Sequence, residues 1–209
     1  MITFKYIKIG VIFSLLFFLP LNALSNNFII SDDGLIDERA IIKIQEIGTE
    51  TQSKLGANIY VYAKQSLGLE DKISTKDKIK YIKKYEGEIT KALVKPYVLL
   101  SISVEDTHVN LIVSSKLKEV IDKNEILNDY VVPLLASKDS NTTFAKASAA
   151  ILNGYAAIAD TIADSKDIEL ESSIGNSGKV AGTVWRVLMY TLIIVGILLY
   201  TFAVLRRKK

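Results

Sequence analysis

The feature that most constrains this chain is the uncharged run near its end, from Val187 to Leu205. A helix over that run is about 28 Å long at about 1.5 Å per residue, close to the roughly 30 Å hydrocarbon core of a bilayer. Trp185 and Arg186 precede the run and a basic tail, residues 206–209, follows it, as at the two interfaces of a membrane. A helix that is apolar on every side is hard to bury in so short a chain. The run therefore predicts one transmembrane helix over residues 185–205.

The amino terminus has the layout of a secretory signal peptide over residues 1–25. Lys5 and Lys8 form a basic start, an apolar stretch follows over residues 9–19, and small residues stand before the expected cleavage point. A retained N-terminal anchor is the alternative, and both interpretations place the middle of the chain outside the cytoplasm. The positive-inside rule keeps the tail 206–209 cytoplasmic. We therefore predict a single-pass protein of the inner (cytoplasmic) membrane with its bulk on the periplasmic side.

The charge of the chain changes sign when the two ends are set aside. Seven of its 26 lysine and arginine residues lie in the terminal segments, which leaves 19 against 23 acidic residues and a net of −4 for residues 26–180. No cationic footprint for nucleic acid is therefore expected. The sequence has no cysteine, which excludes disulfides, thiolate metal sites and a cysteine nucleophile. The length suits one extracytoplasmic domain, residues 26–168, followed by a tether rich in serine and glycine, residues 169–184.

Strand and helix patterns alternate through that domain. Apolar, β-branched runs predict strands, and apolar residues at three- to four-residue spacing predict helices. The run that begins at Val98 is apolar almost throughout, as in a central strand covered on both faces. The class is therefore α/β. The predicted strands are 28–30, 58–63, 98–104 and 108–113. The predicted helices are 38–55, with Asp37 as its N-cap and Gly56 as its C-terminal stop, 74–93, 116–121, 124–137, where Pro133 must kink the helix or start a new one, and 142–167.

The helix predicted over residues 74–93 carries many lysines opposite its apolar side. Such a run is typical of a segment that binds anionic lipid. It is also typical of the solvated side of an ordinary amphipathic helix, because Asp77, Glu86 and Glu88 interrupt it.

His108 is the only histidine. A Ser-His-Asp triad or a histidine-centred metal site would have to use it, whereas the alternative is a structural residue beside a hairpin turn. No Gly-x-Ser-x-Gly, Walker or dinucleotide-binding glycine motif is present in the sequence. No catalytic residue is assigned.

Acidic residues at the ends of predicted elements form a second candidate site. Asp32 and Asp33 end the first strand, and Asp122 ends the short helix after the hairpin. Loop carboxylates of this kind can converge on a hard cation such as calcium. They can equally satisfy nearby backbone N–H groups in turns and helix caps. The spacing alone leaves both interpretations open.

Taken in order, these segments resemble the TPM domain family. The resemblance covers roughly residues 28–165 and rests on order and spacing rather than on a rare motif. In the first part of the chain it is carried by Asp32, Asp33 and Leu35 before a helix, and by Gly56 leading into the strand NIYVYA. In the second part it is carried by the strands YVLLSISV and HVNLIVS, by Asp122 before a helix that contains Val131-Val132-Pro133, and by the long last helix from Thr142.

The resemblance implies a small mixed β-sheet flanked by helices on both faces. It also implies roles that vary among relatives, from support of photosystem II repair and modulation of a receptor to phosphatase activity and calcium binding. Asp33 and Asp122 occupy matching acidic positions, so the resemblance implies that these two residues bind a metal, Ca²⁺. Two features depart from the family pattern: Ser114-Ser115-Lys116 replaces a glycine-rich segment, and Thr107-His108 stands where an arginine is common.

We therefore expect a membrane-tethered extracytoplasmic module that supports the assembly of a membrane protein complex, and we favour a non-enzymatic role. Its expected partners are the membrane and another membrane protein, with Ca²⁺ as a candidate ligand. A metal-assisted phosphatase that uses Asp33 and Asp122 is the alternative.

Overall fold

The computed structural model describes residues 27–69 and 73–175, together with 190, 191, 194 and 195. The predicted signal peptide and basic tail lie outside these residues, as does most of the predicted spanning segment 185–205. Among the helices that are described, none is both long enough and apolar enough to cross a membrane.

The domain consists of four strands and a set of helices in the described part of the chain. The strands are β1 (Ile29–Ser31), β2 (Asn58–Lys64), β3 (Tyr97–Ser103) and β4 (His108–Val113). The α-helices are α1 (Glu38–Glu50), α2 (Thr75–Lys91), α3 (Lys123–Glu125), α4 (Val132–Leu135) and α5 (Thr143–Asp164). A π-helical turn, Thr51–Leu55, continues α1, a second, Ile126–Val131, joins α3 to α4, and a 3₁₀ turn, Ser115–Leu117, follows β4.

The four strands form one mixed sheet in the order β1-β2-β3-β4. Strands β1, β2 and β3 are parallel, and β4 returns antiparallel beside β3. All seven residues of β3 are buried, which confirms the prediction of a central strand. The carboxyl ends of β1, β2 and β3 and the start of β4 lie at one edge, which we call the carboxyl edge; the opposite edge is the amino edge.

The two faces of the sheet are covered by different helices. One face presents aliphatic residues such as Val61 and Leu100 to α1 and α5, and Tyr155 of α5 donates a hydrogen bond to the carbonyl oxygen of Ile59 at 3.0 Å. The other face is more polar and is covered by α2, whose buried residues are Ile82 and Glu86. The α/β class and the small mixed sheet with helices are thus confirmed.

The predicted helix caps are those of the structure. The Asp37 carboxylate accepts hydrogen bonds from the backbone N–H groups of Arg39 and Ala40, and so caps α1. Gly56 ends the helix in the left-handed conformation (φ 64°), which glycine adopts without steric cost. Caps are local in sequence, which is why a sequence pattern is enough to place them.

One predicted helix was wrong, and another is divided beside the proline that was predicted to kink it or to start a new helix. The helix expected over residues 116–121 is a 3₁₀ turn over Ser115–Leu117. The helix expected over 124–137 is divided into α3, a π-helical turn and α4, with Pro133 in the first turn of α4. A proline without an N–H cannot continue an α-helix in register, so a new helix starts there.

The residues that follow α5 pack onto the domain. Leu170 is only 1% exposed, and the carboxylate of Glu50 accepts hydrogen bonds from the backbone N–H groups of Glu171 and Ser172 at 2.9 and 2.8 Å. The packed chain therefore extends beyond residue 168, where the tether was predicted to begin. Residues 176–184 of that tether lie outside the described part.

Candidate functional site

A cleft of about 440 Å³ opens at the carboxyl edge, beneath the β3–β4 hairpin. Its volume is in the range of small-ligand sites, roughly 300–1,000 Å³. Ile102 and Val109, which face each other across the antiparallel pair, form its floor. The walls come from the hairpin, from α4 and from the first turn of α5; the wall residues are Ser103, Val104, Thr107, His108, Val132, Leu135, Ala136, Thr143 and Lys146.

One wall of the cleft comes from α4, which follows the π-helical turn and contains Pro133. Its residues Val132 and Leu135 line the cleft together with residues of the hairpin. Val132 is 39% exposed, so the cleft presents apolar surface to the solvent. An apolar wall open to solvent is available to a ligand or to an apolar side chain of a partner.

Lys146 is the cation at the rim of the cleft. Its ammonium donates hydrogen bonds to the carbonyl oxygens of Ser137 and Asp139 at 2.6 and 3.2 Å and lies 3.4 Å from the Asp139 carboxylate. These contacts tie the loop after α4 to the first turn of α5. The cation therefore holds the rim in place, and the Asp139 carboxylate partly balances its charge.

The hairpin above the cleft is fixed by Asp106. Its carboxylate accepts a hydrogen bond from the Ser103 hydroxyl at 2.6 Å and another from the backbone N–H of Leu67 at 2.7 Å. Burial alone raises the pKa of Asp106, but these hydrogen bonds outweigh burial and hold the pKa below its usual value. Thr107 follows with a positive φ of 48°, a conformation that β-branched residues rarely adopt. The hairpin at the cleft is thus a strained turn held by a carboxylate.

His108 stands between the cleft and the polar face of the sheet. It lines the cleft, while its Nε2 atom lies 2.8 Å from Oε1 of the buried Glu86. Asn110 donates to the other oxygen of Glu86 at 2.6 Å. A structural role for His108, one of the two interpretations of the sequence, accounts for these contacts, since they fasten α2 to β4.

Asp33 lies at the carboxyl edge, as its position after β1 predicted. Lys64 donates to its carboxylate at 2.7 Å, and the backbone N–H of Gln65 donates at 3.3 Å. The hydrogen bond from Lys64 is the main cause that lowers the pKa of Asp33. The negative charge of the Asp33 carboxylate is therefore already balanced by the ammonium group of Lys64.

Asp122 caps a helix. Its carboxylate accepts hydrogen bonds from the backbone N–H groups of Asn124 and Glu125 at 2.8 and 3.3 Å, the local role that the sequence left open. Asp33 and Asp122 thus have separate sets of partners. Within residues 27–69 and 73–175, no group of three or more histidine and acidic side chains is placed to hold a metal. The calcium site at these two residues remains a prediction.

Sequence reasoning missed the cleft. Its lining residues come from four elements that are far apart in the chain, so no local pattern marks it. The one signal in the sequence was Pro133 inside an apolar run, which indicates a break in a helix and therefore an exposed apolar helix start.

No protein-family model matches this chain, and a search of curated proteins finds no match. The resemblance to the TPM domain family therefore stays a prediction.

Proposed function

We propose that the chain is a membrane-tethered extracytoplasmic binding module that supports the assembly of a membrane protein complex, and that it receives its partner in the cleft at the carboxyl edge. The observation that carries the proposal is the apolar lining of that cleft, open to solvent beside Val132. Burial of exposed apolar surface is the main favourable contribution to association between proteins.

The chemistry of the cleft favours binding over catalysis. Its floor and one wall are aliphatic, and its rim cation already has three oxygen neighbours. The imidazole that lines it is bonded to Glu86. Such a site fits an apolar anchor of a partner, with polar groups at the rim to orient it.

The location rests on the two ends of the sequence. The uncharged run 187–205 and the basic tail 206–209 predict a single membrane-spanning helix, and the amino-terminal layout predicts export. A domain held at the membrane meets its partner at high effective concentration, so a cleft of modest area is sufficient for binding.

The proposal is tested by photo-crosslinking in native membranes. The full chain, with a photoreactive amino acid in place of Leu135 in the cleft, is irradiated and recovered through an affinity tag. We expect a discrete crosslinked membrane protein. The variant Val132→Asp should reduce the crosslink strongly, because a charge in the cleft must be desolvated when an apolar partner enters.

The matched control is Ile42→Asp, which changes an exposed isoleucine of α1 (60% exposed) that does not line the cleft and should leave the crosslink unchanged. Recovery of no protein beyond that found with the tether and spanning segment alone would contradict the proposal. Equal crosslinking by both aspartate variants would show that the partner does not bind in the cleft.

A further inference from the structure

Helix α2 carries a line of lysines on the side that faces away from the sheet. Lys76, Lys80 and Lys84 follow at four-residue spacing and Lys91 continues the line one turn past Gly87, so all four share one face of the helix. All four are exposed. The buried side of the same helix is formed by Ile82 and Glu86.

Asp77 and Glu88 belong to the same helix, but in the described part of the chain neither forms an ion pair with these lysines. In the part of the chain that the structure describes, none of the four forms an ion pair, whereas Lys43, Lys54, Lys64 and Lys146 each do. Like charges four residues apart on a helix destabilise it. An external anionic surface would remove that repulsion.

The end of α2 lies near the end of α5, after which the chain continues toward the predicted membrane segment. The anionic surface nearest to α2 is therefore that of the membrane. The carbonyl oxygen of Val94, just after α2, accepts a hydrogen bond from Asn58, and Lys166, just after α5, donates to the carbonyl oxygen of Leu55. Both contacts are at the start of β2, so α2 ends at the amino edge, where the chain leaves α5. Val94 is 61% exposed there.

The distance to the predicted membrane segment is short. Nine residues, 176–184, separate the described domain from residue 185. An extended chain reaches at most about 3.6 Å per residue, so the domain lies within about 32 Å of the bilayer. The cationic face of α2 is therefore within reach of the headgroups, although residues 26–180 as a whole carry a net charge of −4.

We propose that the lysine face of α2 binds the anionic lipid headgroups of the membrane to which the chain is tethered. This inference rests on the tether of the proposed function, and it orients the domain with the α2 side of the sheet toward the bilayer and the opposite side, where α4 and α5 line the cleft, away from it. Lysine stems lie along the interface while their ammonium groups contact lipid phosphates.

The chain suits a labelling experiment because it has no cysteine. Gly87 lies within the lysine face, and a Cβ atom added there meets nothing within 4 Å beyond its own turn of helix, so Gly87→Cys accepts a polarity-sensitive fluorophore. Ile42→Cys, on the helix layer at the opposite face of the sheet, is the control label. Each full-length labelled chain is reconstituted in nanodiscs of phosphatidylcholine alone or with phosphatidylglycerol.

We expect the emission of the label at position 87 to shift to the blue in discs with phosphatidylglycerol only, and the label at position 42 to show no shift. The shift should disappear in about 1 M salt, where the Debye length is about 3 Å. Replacing Lys76, Lys80 and Lys84 with glutamine should abolish it, since three lysines near an anionic surface together change partitioning by roughly 100-fold. The control variant, in which Lys116, Lys118 and Lys138 become glutamine, loses the same charge from exposed sites elsewhere and should retain the shift.

Three outcomes would overturn the inference. Identical emission in the two kinds of disc excludes lipid binding by α2 while leaving the tether intact, provided that the chain elutes with the discs. If the emission shifts only when the proteins of native membranes are present, and not with lipid alone, the lysine face binds a protein partner instead of lipid. A chain that does not enter the discs contradicts the tether and, with it, both proposals.

Discussion

The imidazole Nε2 atom of His108 lies 2.8 Å from the Oε1 atom of Glu86, a carboxylate residue that is only 4% exposed. Asn110 occupies the second carboxylate oxygen, so one residue of α2 is bonded to two residues of β4. A hydroxyl–hydroxyl hydrogen bond between Tyr85 and Tyr62 adds a contact to β2. Helix α2 is thus held on the sheet largely by polar contacts, which makes it sensitive to single changes in charge.

Removing the Glu86 side chain should loosen α2. In Glu86→Ala, His108 and Asn110 lose their common acceptor within a mostly buried site, and we expect a loss of roughly 2–3 kcal/mol in the free energy of unfolding. Urea unfolding of the full chain in detergent measures this. The exposed Glu88→Ala, two residues away on the same helix, is the control and should change the free energy by less than about 0.5 kcal/mol. Equal effects of the two variants would contradict the assignment.

The same carboxylate should make stability depend on pH. Burial raises the pKa of Glu86, but the hydrogen bonds from His108 and Asn110 outweigh it and hold the pKa below 4.5. The stabilisation is therefore fully present above about pH 4.5 and is lost as the pH falls through the pKa of the folded state. We expect the difference in unfolding free energy between the wild type and Glu86→Gln to shrink below pH 4.5. A difference that grows on acidification would show that the pKa is raised instead.

Two helix glycines should respond to alanine in opposite directions. A Cβ atom at Gly154 in α5 would lie 2.5 Å from a methyl carbon of the buried Val131, whereas at Gly87 in α2 it would meet nothing within 4 Å. Gly154→Ala should cost about 1–3 kcal/mol of stability, because a packed helix contact must open. Gly87→Ala should add up to about 1 kcal/mol, the difference in helix propensity. Chemical unfolding of both variants tests the pair, and stabilisation by Gly154→Ala would contradict the contact.

Glu50 should control whether the chain after α5 stays on the domain. Burial raises its pKa, yet hydrogen bonds from Lys54, Ser172 and the backbone lower it to about 2. In Glu50→Gln we expect faster amide hydrogen exchange at Glu171 and Ser172, because the anionic acceptor is lost. Glu46→Gln, which removes an exposed acid from the same helix, should leave the exchange unchanged. In the wild type the contact should persist until the pH approaches about 2. Unchanged exchange in Glu50→Gln would contradict this role.

Calcium binding at Asp33 and Asp122 is tested best by removing the competing cation. Lys64 is paired with Asp33 at 2.7 Å, so Ca²⁺ must displace an ammonium group to reach that carboxylate. If the site exists, calcium should raise the melting temperature of Lys64→Met more than that of the wild type, since a ligand of the folded state adds stability with the logarithm of its concentration. Asp122→Ala in the same background should cancel the gain. No response to calcium in any variant would exclude the site.

Much of the fold was accessible from local sequence. The caps Asp37 and Gly56 were placed correctly, as was the hairpin between β3 and β4, because each depends on a few adjacent residues. The buried run of β3 identified the central strand. The π-helical turn before Pro133 was not predicted. Its last residue, Val131, packs against Gly154 of α5, a contact that no local pattern reveals.

By itself, the sequence determined the α/β class, the order of the elements and the predicted membrane signals at the two ends, because periodicity, capping and long apolar runs are properties of neighbouring residues. Only the tertiary structure decided that Glu86 meets His108, that Glu50 holds the chain after α5, and that α4 forms a wall of an apolar cleft. Each of these contacts joins elements that are distant in sequence. Packing of whole helices against the sheet, rather than the preference of any single segment, fixes which side chains meet.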